Sequence, residues 1–259
     1  MSQQKNRVPI QRPFVLSGGG ARGYAHLGVL KAFAEQHIIP EAIAATSAGS
    51  IAAAFICDGY STDEVREIFL HSKMGLSMQW KNWNSGFLSL KTVEKVLKQT
   101  LRHTTFESLE IPLYITATNF NTGEQFVFDK GPLIPAILAA SSIPLLFHPV
   151  MVEGTPYVDG GLSGNLPVEP LVAQYQHIIG VHVNPLTMYN PASGFIANME
   201  RTLHMAIREP VIKNKQLCSR FIEPEGLAEF GMFDFKRFDT IYDIGLSYTR
   251  KLLEEHPEA

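Results

Sequence analysis

The chain has 259 residues, 45% of them hydrophobic and 18% charged, with a formal net charge of −3 and a pI of about 6.3. That length buries a sizeable core, often as one α/β domain, and the slightly acidic balance offers no basic field for nucleic acid. Of its two cysteines, Cys57 sits in the apolar run 51–57, where a buried thiol behaves as a small hydrophobe rather than a disulfide partner.

The opening residues MSQQKNRVPIQRP are polar and lack the apolar core of a signal peptide. Residues 1–12 therefore read as a flexible lead-in and 13–259 as one domain. Two stretches are rich in apolar residues, 42–57 and 132–147. Both fall short of the ~20 apolar residues a spanning helix needs. The first is mainly alanine, and Pro135, Ser141, Ser142 and Pro144 interrupt the second. The expectation is a soluble, cytoplasmic protein.

In chain order, an apolar strand at 14–16 runs into Gly18-Gly19-Gly20-Ala21-Arg22-Gly23 and a helix from about 21 to 36. A second strand at 43–46 turns sharply at Ser47 into a helix that is small and apolar nearly all round, hence buried, and ended by Asp58-Gly59. Ser61 and Glu64 form a capping-box signature for a helix through about 71. Residues 74–90 show no clear period and hold both tryptophans, before helix returns at 92–101. Strands at 113–119 and 125–128, joined through Asn121-Thr122-Gly123, read as a hairpin. A short helix at 133–140 precedes extended pieces over 143–158 that turn at Glu153-Gly154. After the tight loop Asp159-Gly160-Gly161 come a helix at 168–174, a buried strand at 178–183, a long helix near 195–217 and a last one near 240–255. Strands alternating with helices predict an α/β sandwich, three layers around a mostly parallel sheet.

Two strand-to-helix turns carry the chemistry. The glycine run aims backbone N–H groups at the start of a helix, where anions are favoured. Its Gly18, Gly20 and Gly23 also satisfy a dinucleotide fingerprint, but the second strand of such a unit ends on an acid, and here it ends Ala44-Ala45-Thr46-Ser47. Glycines serving only a tight turn are a third reading. At the second turn Ala45, Ala48 and Gly49 are small, as a strained nucleophile elbow requires, although serine is equally favoured as a helix N-cap. The glycine run one crossover earlier tips the choice toward a nucleophile beside an anion hole, the machinery of acyl transfer. For the base, His177, His182 and His204 follow Asp159 in the order of an α/β-hydrolase triad, but that fold places several strands before its elbow and here only one precedes it. Asp159, at a strand end and freed by two glycines, is the better base; a plain Asp-Gly turn is the alternative.

Taken together, these motifs resemble the patatin-like phospholipases. GGGARG at 18–23 is similar to that family's oxyanion-hole motif, Thr46-Ser47-Ala48-Gly49 to its elbow, and Asp159-Gly160-Gly161 to its Asp-Gly-Gly box. Residues 140–144, 165–167 and 119–123 are similar to family sequence as well, and the likeness runs from about 13 into the 180s. One departure is Ala45, which stands at the first glycine of the usual G-x-S-x-G. A methyl is tolerated there if the backbone is ordinary and costs about 1 kcal/mol or more if φ is positive. The resemblance implies hydrolysis of (phospho)lipid carboxylic esters by a Ser47–Asp159 dyad through an acyl-enzyme, with no metal or cofactor. It also implies an oxyanion held by the N–H groups of Gly19, Gly20 and Ala21. Arg22 would balance charge near the hole or lie on the surface. Trp80, Trp83 and Phe87, with Lys73 and Lys81 nearby, suit a lipid-facing rim in peripheral membrane contact, or else core packing or a variable loop. The rival functions are a carboxylesterase or thioesterase acting on soluble acyl substrates and a non-catalytic acyl-binding module, the latter favoured only by Ala45.

Overall fold

The computed structural model describes residues 8–72, 89–186, 188–189 and 194–257. The rim candidates Trp80, Trp83 and Phe87, with Lys73 and Lys81, lie outside the described residues. The chain opens with β1 (Ile10–Leu16), a short 3-10 turn at Gly20–Gly23, α1 (Tyr24–Glu35), β2 (Ile38–Ala45) and α2 (Ser47–Cys57). Next come α3 (Thr62–His71), α4 (Lys91–Thr100), the hairpin β3 (Leu113–Asn119) and β4 (Gln125–Phe128), and α5 (Leu133–Ala140). A second antiparallel pair, β5 (Val150–Val152) and β6 (Thr155–Asp159), leads into the short α6 (Gly161–Gly164), α7 (Glu169–Val172) and β7 (Ile179–Val181). The last elements are α8 (Phe195–Ala206), α9 (Arg208–Lys215), β8 (Arg220–Ile222) and α10 (Phe238–Glu255).

The strands form one sheet in the order β5-β6-β3-β2-β1-β7-β8, with β4 also on β3. Pairings from β3 to β8 are parallel, and those that β3 makes with β4 and β6 are antiparallel, as is β5 with β6. The alternation of side chains along β1 divides the core. Phe14 and Leu16 face the larger cluster, built with α1, α2, α5 and α10, while Val15 faces Leu166, Leu171 and Val211 on the opposite side. Helices thus cover both faces, as the sequence predicts. α2 packs its alanines Ala52, Ala53 and Ala54 fully buried behind the Ser47 turn.

Several boundaries differ from expectation for local reasons. β1 begins at Ile10, so residues 10–12 belong to the sheet and not to a lead-in; they pair with Ile38, Ile39 and Pro40 before the register shifts at Arg12/Pro13. β2 starts at Ile38, not at 43, because Pro40 and Glu41 hide its apolar pattern; the strand continues through the irregularity at Glu41, which has no partner on β1. The expected helix from 21 begins only at Tyr24, after the 3-10 turn. The long helix expected near 195–217 is two helices meeting at Ile207. Pro210 lacks an N–H and its ring excludes the carbonyl four residues back, that of Ala206, which is where α8 ends. Three-residue β8 carries too little pattern to be read from sequence.

Candidate active site

Ser47 leaves β2 at the first position of α2 with φ 51°, a left-handed conformation that costs a serine roughly 1–3 kcal/mol. Neighbours hold it there. Thr46 Oγ1 donates to the Thr116 carbonyl at 2.9 Å. The Ser47 carbonyl accepts from Ser50 Oγ at 2.6 Å and from Ser141 Oγ at 3.4 Å. Ala45 is an ordinary strand residue, paired with Leu16 and Ile115, and Ser47 rather than Ala45 takes the positive φ. The methyl at the departure from G-x-S-x-G therefore carries no backbone strain.

Asp159 ends β6 and is brought to the serine from 112 residues away. Ser47 Oγ donates to Asp159 Oδ2 at 2.6 Å, and Oδ1 accepts the Gly161 N–H at 2.8 Å. Both side chains are buried. Burial pushes the carboxyl up to about 6, against the bonds from Ser47 and Gly161, which pull it down. At neutral pH the group is thus mostly ionised, while more basic than an ordinary carboxylate. Gly160 is required for the approach, since a Cβ there would lie 2.1 Å from the Thr116 carbonyl. No histidine bonds to Ser47 among the described residues: His182 pairs with Glu223 and His177 lies in a turn of its own. His204 lines a cavity at the site, its imidazole pushed down to about 3 by burial, Arg22 and His182, so it is neutral.

The glycine loop lies against the same serine. Gly18 donates its N–H to Asn165 Oδ1 at 3.0 Å, and Asn184 Nδ2 donates to the Gly18 carbonyl at 2.6 Å. The N–H groups of Gly19 and Gly20 have no acceptor among the described residues. Ala21, expected as a third anion donor, instead gives its N–H to the Met232 carbonyl at 2.8 Å. Gly20 has φ 57°, and a Cβ there would meet that carbonyl at 2.3 Å, so only glycine fits. Arg22 is neither a surface residue nor a free charge beside the hole. Its guanidinium is buried, donating to the Phe230 carbonyl at 2.7 Å and Asn184 Oδ1 at 3.1 Å, and pairing with Glu200 at 2.6 Å. Glu200 in turn accepts the Met232 N–H. The buried pair therefore hangs the 230–232 segment over the glycine loop.

Two cavities meet at Ser47. One is walled by Tyr24, Ile51, Phe69, Phe147, Phe233 and Phe235 and is almost wholly apolar. The other holds Gly18, Gly19, Asp159, Asn165, Asn184 and His204. Gly20, Ile143 and Met232 border both. Asn184, Glu200 and Met232 escaped sequence reasoning because each is tied to the glycine loop across more than 150 residues. Asn165 sits in a run already noted as family-like.

A serine–carboxylate pair at a strand-to-helix turn, beside a glycine loop with unused N–H groups, is an arrangement of the α/β class suited to acyl chemistry. The chain belongs to the patatin-like phospholipase family, whose model matches residues 14–172. It is 26% identical over 272 aligned residues to lysophospholipase NTE1 of Saccharomyces cerevisiae, covering 93% of this chain and 16% of that protein. It is 24% identical to an uncharacterized NTE family protein of Mycobacterium tuberculosis, covering 94% of this chain and 46% of that one. The chain thus spans less than half the length of these two relatives. Among solved structures, VipD from Legionella pneumophila superposes with a TM-score of 0.53 at 15% identity, over 99% of this chain and 72% of that one, a likeness of fold. Among the described residues no helix is long and apolar enough to cross a membrane.

Proposed function

We infer that this chain hydrolyses carboxylic esters of lipids, with Ser47 as nucleophile and Asp159 as base. The observation that carries the reading is the 2.6 Å hydrogen bond from Ser47 Oγ to Asp159 Oδ2 in a buried site. Asp159 takes the hydroxyl proton as Oγ adds to the ester carbonyl. The oxyanion that forms is held by the N–H groups of Gly19 and Gly20, each donor worth about 3–4 kcal/mol to the transition state. Ala21 does not contribute while its N–H stays on the Met232 carbonyl. Collapse expels the alcohol, which takes its proton from Asp159 and leaves an acyl-Ser47 ester. Water then attacks that ester with Asp159 again accepting the proton, and fatty acid leaves as Ser47 Oγ is reprotonated. The aromatic cavity beside Ser47 supports a lipid acyl chain as the acyl part.

The test is intact-mass analysis after incubation with a lipid-like fluorophosphonate. One adduct on the wild type, absent from Ser47→Ala and much slowed in Asp159→Asn, is expected. An unlabelled wild type would overturn the reading and leave an acyl-binding module as its successor.

A further inference from the structure

The cavity that holds Asn165, Asn184, His204 and Ile207 near Ser47 does not stop there. The same four residues border a further, more polar cavity, closed off by α9 and by the residues that follow β7 and β8. From α9 it receives Arg208 and Lys215, seven residues and so two helical turns apart on one side of the helix. Across from them Glu223 accepts from His182 Nδ1 at 2.7 Å. That bond, ahead of the more distant charges of Lys215 and Arg208, holds the Glu223 carboxyl below its usual range. Lys215 Nζ sits 4.5 Å from the centre of the Phe221 ring. Neither Arg208 nor Lys215 forms an ion pair among the described residues. The one carboxylate of the cavity is thus already engaged, and two cations face the space.

The geometry points to a phosphate-binding head-group subsite in this cavity, with Arg208 and Lys215 as its cationic walls. The inference rests on the hydrolase reading for its ligand: the scissile ester at Ser47, the acyl chain in the aromatic cavity, and a glycerol-linked phosphate reaching past the neutral His204 to α9. The aromatic cavity borders Ser47 itself, and the polar one joins the second cavity at Ser47 through the four shared residues, so together they would orient a single-chain phosphate ester in one sense. Arg208 supplies planar paired donors suited to phosphate oxygens, and Lys215 a compact charge.

Binding can be measured without turnover. Ser47→Ala protein is titrated calorimetrically with a short-chain monoacylglycerol phosphate below its micelle concentration, with the matched monoacylglycerol, and with inorganic phosphate alone. The phosphate-bearing lipid should bind at least about tenfold tighter than its neutral match. Adding Arg208→Gln and Lys215→Gln should erase that advantage, while Lys213→Gln, an exposed lysine on the same helix, should keep it. Equal affinity for both lipids, or an advantage that survives the double substitution, would overturn the subsite. Tight binding of inorganic phosphate without preference between the lipids would overturn the head-group assignment in favour of a free-anion site. Because no step needs catalysis, a phosphate preference in a protein whose Ser47 resists the fluorophosphonate would sink the hydrolase reading alone.

Discussion

Ala45 and Asp159 lie on the same edge of β3, Ala45 opposite Ile115 and Asp159 opposite Ala117. The opposite edge is taken by β4, which pairs with Ile115 and Ala117 as well. A strand has two edges, so β2 and β6 share one of them. Running in opposite senses along it, they bring their C-terminal ends head to head. Ser47 lies two residues beyond one end, and Asp159 is the other. The serine–carboxylate contact is thus a product of strand register, with Thr116 between the two ends accepting from Thr46 Oγ1.

By displacing Asp159 from Ser47, Gly160→Ala should therefore disable the site without altering either residue of the proposed dyad. Its Cβ would lie 2.1 Å from the Thr116 carbonyl and 2.5 Å from Thr46 Oγ1, so the end of β6 must move away from β3. A displacement of about 1 Å costs on the order of a hundredfold in rate. Fluorophosphonate labelling rates of the folded variant check this; labelling at the wild-type rate would show that the approach is looser than described.

The raised Asp159 carboxyl gives two linked pH effects. Acylation should rise with pH through about 6, as the base ionises. Stability runs the other way: a carboxyl raised from 3.8 to about 6 contributes fully below its unfolded value and loses that contribution as pH climbs through the folded value. Asp159→Asn removes the buried charge and should raise the unfolding free energy at pH 8 by up to about 3 kcal/mol. The gain should vanish near pH 4. Urea unfolding at both pH values checks the sign, and a loss of stability at pH 8 would refute it.

Arg22 and Glu200 form a buried pair, and removing one partner strands the other. Arg22→Met or Glu200→Leu alone should cost about 3–5 kcal/mol, with much of that recovered in the double substitution. Arg22→Lys should not substitute, because Phe230, Asn184 and Glu200 are met by three separate nitrogens, Nε, Nη1 and Nη2, whose positions a single ammonium nitrogen cannot all occupy. A double-mutant cycle by denaturant unfolding measures the coupling; additive losses would show that the pair acts separately.

Ile51 lies in the wall of the aromatic cavity one helical turn beyond Ser47. Ile51→Trp should shorten the preferred acyl chain, lowering kcat/KM by about fourfold for each methylene it excludes. A series of esters of increasing chain length tests this, and a profile identical to the wild type would place the chain elsewhere.

Much of this molecule is written in local signals. The capping box at Ser61 and Glu64 forms as spaced, the 113–119/125–128 hairpin and the 133–140 helix have the expected bounds, and the glycine run and the Ser47 turn sit where strand gives way to helix. Each depends on residues a few positions apart, so a linear reading finds it. The place of Asp159 at a strand end before two glycines favoured it as the base for Ser47, and the resemblance, carried by three short motifs, implied the same pair. Tertiary structure alone decided why those two residues meet, through two strands sharing one edge of β3. It also decided that the Ala21 N–H is taken by Met232, that Arg22 is buried on Glu200, and that an aromatic cavity and a second one leading on to a polar space meet at the serine. These are relations between surfaces brought together by burial across 100 or more residues, and neither spacing nor periodicity encodes which partner a buried group will meet.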